Sequence, residues 1–317
     1  MRITTLSPSP LQHLVTPLIK DRGVEVLVKR DDLLYYPNAK RIGNTRIRSA
    51  FCGNKYRKLK YNLLEAQQRG YKQLLTFGGA YSNHITATAE AGALLSFKTI
   101  GIIRGEEHQP LNPSLQYAKA CGMHFHYLDR ATFRHKYDEA VRSELERQFG
   151  RFYLLPEGGT NDLAIRGVKE LVDEIPEALR EATFAVSCGT GGTLAGVIEG
   201  LQGRGQALGF SALKGDFLTE EVARLLSKPF ENWSIQTDYH FGGYAKFKPP
   251  LVEFINLFKE THNIQLDPIY TGKLFYGLFD LIRQGYFPKG TTIIVIHTGG
   301  LQGIHGFNER FGGVINC

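Results

Sequence analysis

The chain has 317 residues, 42% of them hydrophobic, enough for a sizeable core in one large or two medium domains. Its formal charge of +7 suggests nucleic acid, but eight Lys/Arg (Lys40, Arg41, Arg46, Arg48, Lys55, Arg57, Lys58, Lys60) and no Asp or Glu lie between Leu33 and Leu64, so one stretch carries the excess and no nucleic-acid motif accompanies it. Four unpatterned cysteines, a proline-broken start and no apolar run near the ~18 residues of a span predict a reduced, cytoplasmic chain without metal or membrane.

In chain order, apolar β-rich runs alternate with amphipathic helical patterns, the signature of a parallel sheet with crossover helices, so the predicted class is α/β. A strand over 24–28 precedes the basic stretch 36–48, and a helix follows over 55–70. Gly53 and Asn54 make a tight turn that projects the Lys55 amine from a helix start into a cleft, where a cation is disfavoured and the amine becomes nucleophilic. From its own heptapeptide, Lys55 is either a Schiff-base lysine or an exposed lysine at a helix start. Lys58, one turn on, either adds charge to the same ligand or shares a solvated face with Arg57 and Lys60.

A strand over 73–77 ends at Gly78-Gly79, and Ser82-Asn83-His84 opens an alanine-rich helix over 83–95. Hydroxyl, amide and free N–H groups cluster there, so the loop is a carboxylate receptor, an ordinary N-cap, or both. Strands over 98–103 and 123–128, with helices over 114–121 and 133–148, lead to Pro156-Glu157-Gly158-Gly159-Thr160-Asn161, a plausible crossing between units. A helix over 164–172 and a strand over 183–187 then reach Cys188, Gly189, Thr190, Gly191, Gly192 and Thr193, which open a helix over 192–201. Glycine lets backbone N–H groups wrap a phosphate and the threonines add donors. The loop is neither a Walker P-loop nor a dinucleotide fingerprint; a glycine-rich helix start with only a structural job is the alternative. A strand over 207–212, helices over 250–261 and 272–284, and a strand over 291–296 complete the pattern.

With these motifs in order, the chain resembles the fold type II pyridoxal-phosphate enzymes related to tryptophan synthase β, and within them the D-cysteine desulfhydrase and 1-aminocyclopropane-1-carboxylate (ACC) deaminase family. The resemblance also runs through Lys29-Arg30-Asp31-Asp32-Leu33, residues 266–273 and His297-Thr298-Gly299-Gly300. It implies two open, mainly parallel twisted sheets with flanking helices and pyridoxal 5'-phosphate between the domains. Residues 1–52 and 161–317 would form the large cofactor-binding domain, and 53–160 a small domain carrying the lysine and substrate loop, in a homodimer. By resemblance Lys55 bonds the cofactor and moves protons, Asn83 meets the pyridoxal 3'-oxygen, and Ser82, His84 and Tyr81 face a small amino-acid substrate. Residues 188–193 with Lys58 grip the phosphate, Thr271 and Thr298 complete the cofactor contacts, and Tyr270 assists protonation or orients the substrate.

The deaminases resemble Tyr-Glu-Gly-Lys where this chain has Tyr270-Thr271-Gly272-Lys273. A hydroxyl leaves the pyridine nitrogen largely unprotonated, which suits loss of a β-thiol better than cyclopropane opening. The expected activity is therefore D-cysteine desulfhydrase-like, giving a 2-oxo acid, ammonia and sulfide. ACC deamination, a non-catalytic pyridoxal-phosphate carrier and a phosphate-binding protein without pyridoxal are the alternatives. Departures from the family are the basic stretch, Tyr81 where glutamine is frequent, and Cys52, an inert small residue or a reactive thiol.

Overall fold

A computed structural model describes residues 6–37 and 49–316. Most of the basic stretch, residues 38–48, therefore lies outside the described residues.

Among the described residues, ten strands form two sheets. In chain order they are β1 (Leu11–Leu14), β2 (Glu25–Lys29), β3 (Gln73–Gly78), β4 (Lys98–Arg104), β5 (His124–Leu128), β6 (Tyr153–Leu155), β7 (Thr183–Cys188), β8 (Gln206–Ser211), β9 (Trp233–Gln236) and β10 (Thr292–Ile296). The smaller sheet has the order β5-β4-β3-β6 and is parallel throughout. The larger sheet, β1-β2-β10-β7-β8-β9, is parallel except for β1, which pairs antiparallel with β2. The two ends of the chain meet in it, β2 beside β10. Central strands such as β10, Thr-Ile-Ile-Val-Ile, are buried along nearly their whole length. Helices cover both faces, which is why such strands read as continuous apolar runs instead of alternating ones.

Two open, mainly parallel sheets with flanking helices are thus present, the expected α/β architecture. The seven predicted strands recur within one or two residues. The expected helix over 133–148 is instead two, Arg130–Arg134 and Glu139–Phe149, separated by a turn in which Asp138 stands at the N-cap position of the second. Strands β1, β6 and β9 and the helices Leu218–Leu225 and Gly303–Phe311 were not predicted.

The helices Gly53–Gln68 and Asp162–Asp173 join the two sheets. A Cβ at Gly167 would collide with the Arg57 carbonyl, so the backbones cross where glycine alone fits. Arg57, 1% exposed, reaches through the junction to Asp31 and Glu174, and Lys60 and Tyr61 both bind Glu170, at 2.7 and 2.5 Å.

In open α/β sheets, ligands gather outside the carboxyl ends of the strands. Here those ends are followed by the loops after β3, β6, β7 and β10, and all four border one cavity.

Candidate active site

The first wall is the start of the Gly53–Gln68 helix. Gly53 has φ +53°, in the left-handed region, and a Cβ there would strike the Thr298 carbonyl. That carbonyl accepts the Asn54 N–H at 3.1 Å, so the glycine locks the lysine's helix start against the loop after β10. Glu90 supports the approach: its carboxylate accepts the backbone N–H groups of Ala50 and Phe51 at 2.6 and 2.8 Å and the Ser49 hydroxyl at 3.0 Å. Gly53→Ala is expected to cost at least the roughly 1–2 kcal/mol of a left-handed L-residue. The measurement is a thermal melt, and an unchanged melting temperature would refute this account of Gly53.

Lys55 lines the cavity. Burial lowers its pKa to about 8, although Cys52 and Asp267 act in the opposite sense. About a tenth is therefore the neutral, nucleophilic amine at pH 7, far more than a lysine at its ordinary value offers. Cys52 is inert, because burial pushes its thiol up to about 12.

Lys58 is buried on the same helix and donates to Thr160 Oγ1 at 2.8 Å and the Gly158 carbonyl at 3.0 Å. Burial, aided by Lys55, takes its pKa well below the usual lysine value. No described carboxylate pairs with it. An amine held among neutral acceptors beside a glycine-rich helix start lacks an anion. The loop supplies the rest of a cradle: Gly189, Thr190, Gly191, Gly192 and Thr193 line the cavity, Gly191 has φ +76°, and a Cβ at Gly192 would stand 3.0 Å from the Lys58 amine. A phosphate fits this donor set.

Facing it is the loop after β3. Ser82 caps the helix Asn83–Leu95 by accepting the N–H groups of His84 and Ile85, so capping and lining coincide and its own proton is free to donate. Asn83 donates to the Gly300 carbonyl at 3.3 Å. Thr76 Oγ1 donates to the Leu155 carbonyl at 2.9 Å and lies 2.8 Å from His84 Nε2. It must accept there, which fixes the proton on Nε2 and leaves Nδ1 a buried acceptor without a protein partner among the described residues. Burial, with Lys55 and Lys58 beside it, takes the His84 pKa well below its usual value, so the ring is neutral.

Tyr270 closes the cavity over Gly189, its ring packed edge-on against that of Tyr244 with 6.3 Å between centroids. Burial keeps the Tyr270 pKa well above that of a free phenol, so it is a proton donor and not a base. Lys273 holds the Tyr244 segment by donating to the carbonyls of His240 and Gly243, both at 2.8 Å.

The cavity thus collects Lys55, Lys58, Ser82, Asn83, His84, residues 189–193, Tyr270 and Thr298. Three expected contacts require correction. Thr271 does not line it: its hydroxyl donates to Asp267 Oδ1 at 2.7 Å and accepts the Asp267 N–H at 2.8 Å, so it has no proton left to share with a ring nitrogen. Tyr81 turns away, against Gly306. Cys188 is buried behind the loop, its thiol near the Val186 carbonyl. Sequence reasoning missed Asn54, Gly158, Ser187, Tyr244, Gly299 and Gly300. Gly158 lies in the segment read as a domain crossing, whose glycines were themselves the available signal.

Comparison with known proteins identifies the family. A family model described as pyridoxal-phosphate dependent enzyme matches residues 5–299. The chain is 33% identical to a Pyrococcus abyssi protein named "Putative 1-aminocyclopropane-1-carboxylate deaminase", over 96% of this chain and 94% of that one. It is 28% identical to the D-cysteine desulfhydrase of Klebsiella pneumoniae, over 96% and 95%. A crystal structure described as an ACC deaminase homologue superposes with a TM-score of 0.78 at 30% identity, covering 98% of this chain and 94% of its own.

Proposed function

The chain belongs to the pyridoxal-phosphate dependent enzyme family, and we propose that it eliminates the β-substituent of a small amino acid as a D-cysteine desulfhydrase does, releasing a 2-oxo acid, ammonia and sulfide. The observation that carries this choice is that no Asp or Glu lines the cavity among the described residues. Thr271 lies behind the wall, so its hydroxyl does not act as expected, yet the conclusion drawn from it persists on other ground: nothing in the lining keeps a pyridine nitrogen protonated.

Pyridoxal phosphate, when bound, supplies an electron sink that acidifies the Cα–H bond of an attached amino acid and drives out a β-leaving group. Lys58 and residues 189–193 would hold its phosphate, and Asn83 its 3'-oxygen. Lys55 would hold the aldehyde carbon through Nζ until the substrate amine takes its place, and the freed Nζ would then move the Cα proton. Ser82 Oγ donates to the substrate carboxylate. Tyr270, protonated and packed against Tyr244, donates to the departing group or orients it, while its ring covers one side of the cavity. In this reading residues 53–160 form the small domain, residues 1–52 and 161–317 the large one, and the working protein is a cytoplasmic homodimer. No described helix is long and apolar enough to cross a membrane.

The test is to supply D- and L-cysteine and ACC to cofactor-loaded protein and to measure sulfide and 2-oxo acid. Sulfide with 2-oxo acid from one cysteine enantiomer, and none from ACC, is expected. Turnover of ACC would overturn the choice between the two activities, and a coloured protein that turns over nothing would make it a carrier.

A further inference from the structure

Beside the catalytic cavity lies a second cleft, of about 360 Å³, lined by Arg104, Arg130, Phe133, Arg134, Lys136 and Glu157. Its charge is unbalanced. Lys136 pairs with Glu157 at 3.2 Å and rests over the rings of Phe133 and Tyr137 at 4.9 and 4.8 Å. No side-chain ion pair or hydrogen bond with another described residue satisfies Arg104, Arg130 or Arg134. Elsewhere on the surface arginines do find carboxylates, as Arg142 finds Glu146, Arg147 finds Glu144 and Arg224 finds Glu221. Three unpaired guanidiniums around one concavity, facing a single carboxylate already engaged, lower the energy of an anion placed there.

The cleft adjoins the catalytic cavity on several elements. Glu157 directly precedes Gly158, which lines the cavity beneath Lys58. Arg104 closes strand β4, and its guanidinium comes within 3.9 Å of where a Cβ on Gly79 would stand, in the loop that carries Ser82. Tyr244, whose ring packs against Tyr270, feels the charges of both Arg104 and Glu157. The positive cleft therefore adjoins the catalytic cavity on the side of the Gly79–Ser82 and Gly158 loops.

We propose that the Arg104–Arg130–Arg134 cleft is a specificity subsite for a distal anionic group, and that the preferred substrates are small amino acids whose side chain or leaving group carries a carboxylate, sulfonate or phosphate. The inference rests on the amino-acid reading of the catalytic cavity. Planar guanidiniums bind such oxyanions in bidentate fashion, and Lys136 already engages Glu157. The arginines touch the distal group alone and take no part in bond making.

The visible spectrum of the cofactor-loaded protein, titrated with amino acids, reports binding whether or not turnover follows. The probes are both enantiomers of O-phosphoserine and cysteate, with serine and cysteine as neutral counterparts. Tighter binding of the anionic members is expected. Arg104→Gln and Arg134→Gln should each weaken that binding by about tenfold, the low end of a charge-assisted hydrogen bond, and leave the affinity ratio of serine to cysteine unmoved. Equal losses for neutral and anionic amino acids, or none for either, would overturn the subsite. Inorganic phosphate should compete with O-phosphoserine; if it binds the cleft without competing, the site is one for free anions and the proposal fails. A response to neutral amino acids without anionic preference sinks this inference and spares the catalytic reading, whereas no response to any amino acid sinks both.

Discussion

Lys55→Ala should abolish the visible absorption band of the cofactor-loaded protein and reduce turnover by at least 10²–10⁴-fold, about the contribution of one positioned proton-transfer group. Under the proposed function the variant loses both the covalent hold on the aldehyde and the base at Cα, so the full effect should exceed either part. Lys58 and the 189–193 loop remain, and cofactor should still bind through its phosphate. Absorption spectra of wild type and variant after cofactor addition separate the roles: retention of an unchanged band would show that another lysine bonds the aldehyde. The pH dependence follows from burial, which brings Lys55 to about 8. The free-amine fraction grows as pH rises through that value, so capture of the aldehyde should accelerate up to about pH 8 and level off above it. The same shift has a stability consequence. Between about 8 and the ordinary lysine value of 10.5 the unfolded chain binds the proton that the folded chain has released, so in the cofactor-free protein this lysine's contribution to stability rises with pH over that window. Thermal melts of wild type and Lys55→Ala across pH 7–11 check the sign.

Lysine 55 was legible because its constraints are local. Gly53, at positive φ, stands two residues before it at the start of the helix, and helix and strand periodicity on either side place that start. The 189–193 segment of the cavity wall was legible for the same reason, as a glycine run between an apolar strand and a helix start. Thr271 misled because its hydroxyl had a nearer partner. Asp267, four residues earlier, accepts the N–H groups of Ile269, Tyr270 and Thr271 and then the hydroxyl itself, the behaviour of an aspartate capping a helix start. Asp-Pro ahead of an apolar helix signals such a cap, and the signal was there to be weighed. Tyr244 left no comparable trace. Its irregular segment is held through backbone carbonyls by Lys273, an arrangement without periodicity. Strands of three or four residues, such as β6 and β9, are too short for alternation to separate them from loops.

The other large effect lies away from the chemistry, at the junction of the two sheets. Arg57→Met should destabilise the protein by about 3–5 kcal/mol, the cost of removing one member of a buried ion pair. Arg57 Nε and Nη2 meet both oxygens of Asp31 at 2.7 and 2.9 Å, and Nη1 and Nη2 meet those of Glu174 at 2.8 and 2.9 Å. Ser9 adds a bond to Asp31 at 2.5 Å, and Lys29 one to Glu174 at 2.5 Å. Methionine keeps much of the volume, so the loss is electrostatic: Asp31, 0% exposed, keeps only a hydroxyl and the more distant charge of Lys29. Burial alone would raise the Asp31 pKa, but the charge and hydrogen bonds of Arg57 outweigh it and hold the carboxyl below its usual value. A depressed carboxylate contributes stability that is present above the unfolded pKa and lost as pH falls through the folded one. In the variant burial acts with weaker opposition, Asp31 titrates higher, and protonation relieves the uncompensated charge. The gap between wild type and variant should therefore narrow as the solution is acidified, and Arg57→Met combined with Asp31→Asn should recover part of the loss at neutral pH. Denaturant unfolding at pH 7 and pH 4 measures both; a gap that widens on acidification would show that Asp31 is not the group left exposed to the loss.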